Sequence, residues 1–295
     1  MVRPLPKTMT SIAFITCDRI PNLTADDQLV VEELRKLGVG VTPVVWTDNP
    51  DLSGFELVVV RSPWDYHLKF DQFQNWLSAV EQDRIPLLNP APIIKWNMNK
   101  QYLRELEARG VPVVPSVWIQ RGNTGPLQAV LDEQQWDQVV VKPTVSATAY
   151  ETHRVTKQQT GKFQAQFMEL ANQADLVVQP FLEEIQTAGE WSFIFVDGKL
   201  THTVLKQAKA GDFRVQEEWG GQFFASTAPP TVVDAAHRVI EALDETLLYA
   251  RVDGVVKDGT FWLMELELIE PALYFSCVPE AARCLAEAIA CRVKP

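Results

Sequence analysis

Three segments near the amino end limit the folds open to this chain: a β-rich run at Ser11–Cys17, a stretch with helical apolar spacing at Thr24–Leu37, and a second β-rich run at Val39–Trp46. Strands joined through a helix pair in parallel, because a crossover of that length carries the chain back to the same end of the sheet. Thr24 offers a cap, Asp26 and Asp27 put acids in the first turn, and Gly38 supplies the stop. A further β-rich run at Glu56–Arg61 extends the pattern, so a doubly wound parallel layer is expected here.

Pro86, Pro90 and Pro92 surround a short strand at Leu87–Asn89, and helical spacing resumes over Asn97–Arg109 until Gly110. This punctuation places a boundary near residue 92, with a first unit over 1–92. From Pro112 to Pro180 the order is strand (Val113–Trp118), helix, strand (Val139–Lys142), small-residue loop, strand, helix (Lys162–Ala174) and strand (Leu176–Gln179). That alternation suits a small α/β lid, giving a second unit over 93–180. The third unit, 181–295, reads as strands at Trp191–Val196, Lys199–Lys206 and Phe213–Trp219, a long helix at Val232–Leu248, strands at Arg251–Lys257 and Phe261–Leu266, and a closing helix at Pro279–Val293. Asp197-Gly198 and Asp258-Gly259 mark hairpin turns, so antiparallel pairing is expected.

The 295 residues, 46% of them hydrophobic, can bury cores without disulfide or metal staples. No run reaches the ~18 apolar residues of a membrane span, and the apolar stretch after the amino end is too short for a signal peptide. A cytoplasmic protein is the expectation. A net charge of -11 opposes binding to a phosphate backbone, so nucleic acid is not an expected partner. Cys277, Cys284 and Cys291 recur every seven residues, roughly 10 Å apart on a helix and too far for one metal; buried packing is expected there and at Cys17.

Two groups of residues carry chemistry. Lys142 ends an apolar strand and is followed by Thr144-Val-Ser-Ala-Thr-Ala149, small residues that let backbone N–H groups approach phosphates. The loop lacks the glycines and the ending of a Walker A sequence. Asp253 lies on one strand of a hairpin and Glu265 and Glu267 on the next, where alternation turns the two glutamates to one face. Carboxylates that converge need a hard divalent cation; carboxylates on a solvated face do not. Both arrangements satisfy the spacing alone. Gln179-Pro-Phe-Leu-Glu-Glu184 reads either as an extended segment able to meet a flat heterocycle or as a linker.

In this order the elements resemble the ATP-grasp superfamily over nearly the whole chain. The resemblance implies a pre-ATP-grasp parallel sheet, a small α/β lid and an antiparallel core. It implies that ATP and Mg²⁺, two ions, are bound. Lys100, in Asn97-Met-Asn-Lys100, and Lys142 would contact phosphates, with Ser146 in the covering loop. Gln179, Phe181 and Leu182 would meet adenine and Glu190 the ribose, with Glu183 and Glu184 as nearby competitors. Asp253, Glu265 and Glu267 would hold the metals, although the family usually has asparagine where Glu267 stands. Lys206, Arg214 and Arg251 would act on the catalytic floor, and Gly220 and Gly221 would admit substrate close to backbone.

Arg61-Ser-Pro-Trp-Asp-Tyr-His67, the Lys-Pro-Thr-Val-Ser-Ala loop, Gly211-Asp-Phe-Arg214 and Glu265-Leu-Glu-Leu-Ile-Glu270 resemble a narrower branch, the O-ureido-D-serine cyclo-ligases that form D-cycloserine. This implies a small amino-acid-like substrate met by Asp18, Arg61, Ser62, Trp64 and Glu270, with Arg61 or Arg214 on its carboxylate and Glu270 on its ammonium. Ligation of two separate molecules is the alternative within the superfamily. Related branches form dimers or tetramers, so a homo-oligomer is expected. The loop 144–149 is expected to be mobile without nucleotide.

Overall fold

The computed structural model describes residues 10–293, apart from 124, 210, 216–218 and 246. Its first sheet contains β1 (Thr10–Thr16), β2 (Val39–Val45), β3 (Leu57–Ser62) and β4 (Leu87–Leu88) in the order β2-β1-β3-β4, all paired in parallel. The crossover helix α1 (Ala25–Lys36) is capped as expected: Asp27 N donates to Thr24 Oγ1 at 3.0 Å. α2 (Phe70–Gln82), for which the sequence reading made no assignment, covers the opposite face with Phe73, Trp76 and Leu77. The strand order reverses direction between β1 and β3, and the crevice outside their carboxyl ends is where such sheets bind ligands.

The expected helix Asn97–Arg109 is two helices, α3 (Ala91–Asn97) and α4 (Tyr102–Ala108). Between them Gln101 N donates to Asn99 Oδ1 at 3.0 Å, a local side-chain bond that competes with the helical ladder. Tyr102, Leu103 and Leu106 then pack with Phe193, Val252 and Leu263 of the third sheet. The expected strand Val113–Trp118 is shorter, β5 (Val117–Ile119), because Val113 bridges Leu263 instead.

The second sheet adds β6 (Gln138–Pro143), β7 (His153–Thr156) and β8 (Leu176–Pro180) in the antiparallel order β5-β8-β6-β7. α5 (Leu127–Gln134) and α6 (Thr160–Gln173) cover one face, burying Val139, Val141 and Val178 with Leu131 and Phe167. Alternation leaves Val140, Lys142 and Gln179 on the other face.

After the short α7 (Glu184–Thr187), the third sheet runs β9 (Glu190–Val196), β10 (Lys199–Gln207), β11 (Gln222–Ala225), β12 (Tyr249–Lys257) and β13 (Thr260–Glu267) in the order β11-β10-β9-β12-β13. Asp197, Gly198, Asp258 and Gly259 all have positive φ, as both hairpin turns require. Of the expected strand Phe213–Trp219, residues 216–218 lie outside the described residues and Phe213–Val215 are not a strand; β11 takes the sheet edge. α8 (Pro230–Glu241) stops well before Leu248, whose N–H donates to Asn89 Oδ1 at 2.7 Å as the chain turns into β12.

α9 (Glu280–Ala290) packs on α1 through Ala282, Leu285 and Ile289, joining the ends of the chain. Cys17 is buried, but Cys277 precedes the helix and Cys284 and Cys291 are exposed; the buried stripe falls on the alanines, Leu285 and Ile289 instead. Among the described residues no helix is long and apolar enough to cross a membrane.

Arg61 fastens the first sheet to the third. It is 2% exposed, with Nε 2.8 Å from Asp27 Oδ1, Nη2 donating to Pro271 O at 3.1 Å, and its guanidinium 4.9 Å from the Tyr249 ring centre. Ser62 is equally enclosed and donates to Thr16 Oγ1 at 3.0 Å. Arg61→Ala is expected to lose about 3–5 kcal/mol of folding stability in urea unfolding, since Asp27 would remain as an uncompensated buried charge. An Arg61→Met, Asp27→Ala double variant is expected to recover part of that loss.

Candidate active site

A cavity of about 450 Å³ opens where the three sheets meet. Val140, Lys142, Gln179 and Leu182 come from the second sheet and its exit, Glu190, Lys206, Arg251, Asp253, Glu265 and Glu267 from the third, and Trp64 and Tyr66 from the loop after β3. Lys100, Ser146, Arg214 and Glu270 complete the expected residues that line it.

Six others do not. Arg61 and Ser62 are enclosed by the contacts given above. Asp18 is 58% exposed and pairs with Lys69 at 3.4 Å, outside the cavity. Phe181 packs edge-on to Phe213 at 5.9 Å and under the Arg154 guanidinium at 3.8 Å. Gly220 is exposed, and a Cβ on Gly221 would fall 2.0 Å from Val215 O, so that glycine admits the protein's own backbone. Tyr66, Asn97, Tyr102 and Tyr274 line the cavity although the sequence reading assigned them no role. Asn97 and Tyr66 lie within motifs that carry the family resemblance; Tyr274 carries no sequence signal.

The charges are interlocked. Lys100 Nζ lies 2.8 Å from Glu265, Lys206 Nζ 2.5 Å from Glu190 and 3.4 Å from Asp253, and Arg251 Nη2 2.9 Å from Asp253. Arg251 also pairs with Glu267. Burial works to raise the Glu265 carboxyl, yet Lys100 and Lys142 outweigh it and hold it at about 2. Burial pushes Glu267 up to about 7, with Arg251 opposing and Asp253 and Glu265 adding to the rise. Burial likewise raises Glu270, reinforced by Glu267. Lys206 is raised because Asp253 and Glu190 overcome its desolvation. Lys142 forms no ion pair among the described residues, and burial, followed by repulsion from Lys100, lowers its ammonium. That amine is poised for an anion.

Asp253 and Glu265 are register partners on β12 and β13, and Glu267 is two residues further on the same cavity face. Three carboxylates from neighbouring strands form an all-oxygen donor set of the kind Mg²⁺ prefers, beside lysines suited to phosphates. Among the described residues, no three such groups already converge at metal-binding distance. Glu184 is 3.9 Å from Lys257 and Glu183 is exposed; neither lines the cavity, whereas Glu190 does.

The loop after β6 is tethered at its start and strained at its end. Lys100 N donates to Thr144 O at 2.8 Å and Lys100 Nζ to Ser146 O at 2.7 Å, while Thr148, Ala149 and Glu151 have φ of 52°, 57° and 47°. The Tyr150 ring lies 5.3 Å from the His67 ring, so the loop also touches the first sheet's loop.

Three comparisons bear on this geometry. The model of the N-terminal domain of D-cycloserine synthetase DcsG matches residues 12–89. The cycloserine biosynthesis protein DcsG of Streptomyces lavendulae is 30% identical over 285 residues, 90% of this chain and 93% of that one. The crystal structure of D-cycloserine synthetase DcsG superposes with a TM-score of 0.88 at 27% identity, covering 96% of this chain and 100% of that one. D-alanine–D-alanine ligase from Bacillus anthracis, complexed with ATP, shares the fold at a TM-score of 0.68 and 16% identity, over 96% and 98% of the two chains.

Lys100→Met removes an ammonium-to-carbonyl bond of about 1.5–3 kcal/mol. Amide exchange at Ser146–Ala149 is expected to accelerate about ten- to hundredfold. Unchanged exchange would show that Lys100 does not anchor the loop.

Proposed function

The chain belongs to the D-cycloserine synthetase (DcsG) family of ATP-grasp ligases, and from that premise we propose that it closes O-ureido-D-serine into D-cycloserine at the expense of ATP. The observation that carries this reading is the meeting of Lys100, Lys142 and three acids on one cavity that Trp64, Tyr66, Glu270 and Tyr274 also line. The likeness to DcsG covers 96% of this chain and 100% of that one.

In this reading residues 1–92 contribute the substrate loop, 93–180 the lid and 181–295 the floor. Gln179 and Leu182 receive adenine, Glu190 the ribose, and Lys100, Lys142 and the backbone of loop 144–149 the phosphates. Asp253, Glu265 and Glu267 would hold two Mg²⁺ ions. Bound there, Mg²⁺ supplies charge neutralisation for the transferring phosphoryl group. Arg251 and Lys206 fix the direction of the acids, and Arg214 reaches the cavity to meet the developing acyl phosphate.

The carboxylate oxygen of the substrate attacks the γ-phosphorus and ADP leaves. The substrate's own N–O nitrogen then attacks the acyl carbon, giving up its proton as phosphate departs, which needs no second substrate because nucleophile and electrophile share one molecule. Water takes up the carbamoyl group, releasing carbon dioxide and ammonia. Until the ring closes, the lid loop and the Tyr150–His67 contact keep bulk water from the acyl phosphate. Glu270 faces the substrate ammonium; with Arg61 enclosed, Arg214 is left to meet the carboxylate.

Mg²⁺-ATP with O-ureido-D-serine is expected to release ADP and yield a cyclic product by mass analysis, with hydroxylamine diverting part of it to a hydroxamate. ADP release that requires an added amine and another carboxylate would move the activity to a bimolecular ligase. Glu265→Gln is expected to lower Mg²⁺-dependent turnover by about 10²–10³-fold, in the range of a lost electrostatic contact to the transition state. Turnover at the wild-type rate would remove Glu265 from the site.

A further inference from the structure

Among the described residues β13 ends its sheet, with β12 on one side and, on the other, only the bridge of Val113 to Leu263. The backbone groups of Leu266 and Leu268 face this free edge, and buried amides there need partners. Side chains supply them. Asn97 Nδ2 donates to Leu266 O at 2.8 Å, and Leu268 N donates to Asn97 Oδ1 at 2.9 Å. Leu266 N donates to Tyr102 Oη at 3.0 Å, and Asn89 Nδ2 donates to Leu268 O at 2.9 Å.

The two Asn97 bonds have a specific pattern. In a parallel ladder, one residue donates its N–H to the carbonyl before the opposite residue and accepts at its C=O from the N–H after it. Asn97 does this around Glu267, so its amide behaves as a single-residue strand opposite a cavity-facing acid. Both of its polar atoms serve β13, and its side chain is buried.

We propose that Asn97 is a positioning residue: with Tyr102, it stands in for a missing neighbour strand and fixes the direction in which Glu265 and Glu267 present their carboxylates to a divalent cation. This assignment rests on the ligase reading above. It also accounts for the break between α3 and α4. In an unbroken helix Asn97 and Tyr102 would point roughly 140° apart, whereas the bend between them brings both to one strand edge. Lys100, inside that bend, reaches the Glu265 side chain at 2.8 Å, so one short segment sets both the backbone of the acids and the charge beside them.

Removing the Asn97 amide leaves a buried carbonyl and N–H without partners on either side of Glu267. The strand edge then has freedom to rotate, and the acids lose a common direction. Groups that orient metal ligands typically contribute 10–100-fold to metal affinity.

The test uses the full chain with ADP and Mn²⁺, reading Mn²⁺ binding by electron paramagnetic resonance and metal-free ADP binding by calorimetry. Asn97→Ala is expected to weaken Mn²⁺ in the ADP complex by about 10–100-fold while metal-free ADP affinity stays unchanged. Tyr102→Phe, which removes only one hydroxyl, is expected to give a smaller loss in the same direction, and it carries the test alone if Asn97→Ala does not fold. Wild-type Mn²⁺ affinity in the folded variants, or equal losses of Mn²⁺ and metal-free ADP, would overturn the positioning role. Failure of the wild-type protein to bind Mn²⁺ with ADP would instead overturn the ligase reading on which it rests.

Discussion

The pairing of Arg61 with Asp27 fixes the geometry on which the cavity depends. Both charges lie out of water, at 2% and 1% exposure, so each is tolerable only while the other is present. Arg61 leaves β3, Asp27 belongs to α1, and the same guanidinium holds Pro271 O just beyond the acids of β13. Asp26, one residue earlier, accepts the N–H groups of Phe275 and Ser276 at 2.9 Å each. A parallel sheet and an antiparallel sheet are thereby held together, with Trp64 Nε1 donating to Glu270 O at 2.9 Å.

Much of the fold was legible because local chemistry and global arrangement agree. The Thr24 cap, Gly38 and the apolar runs on either side specify a parallel crossover before any tertiary contact is considered, and each Asp-Gly pair demands a tight hairpin. The alternation Val139, Val141 against Val140, Lys142 puts the lysine on the side away from the lid helices. The misjudged elements were decided by distant partners. Nothing near Asn97 announces that its amide will meet β13 some 170 positions later, and helix propensity around Leu248 gives way to a bond from its N–H to Asn89.

The site divides the same way. Strand periodicity puts Glu265 and Glu267 on one common face, while their use as a site, with Lys142 and Asp253, came from the family resemblance. Arg61 sits at the end of a strand, as a ligand-binding arginine would, yet a buried acid on α1 claims it first. Gly221 shows a similar competition: a glycine where substrate was expected to approach is needed for the close passage of Val215 O. Tyr274 reaches the cavity only because the chain after β13 doubles back, with a left-handed backbone at that residue.

The interlocking of acids and bases around the cavity has one more consequence. Lys100 neutralises Glu265, Arg251 neutralises Glu267 and Asp253, and Lys206 neutralises Glu190, so the site presents nearly balanced charge to an approaching molecule. Beyond Lys142, unpaired among the described residues, a simple anion would have to pull a cation from its carboxylate, and a simple cation would have to pull a carboxylate from its lysine or arginine, each leaving an orphan behind in low dielectric. A ligand that brings both signs at once exchanges partners with both halves of a pair and leaves neither stranded. On the ligase reading proposed above, the cavity would thus discriminate by dipolar character before shape is consulted, favouring a metal-bound polyphosphate over phosphate or metal alone and a zwitterion over a plain acid.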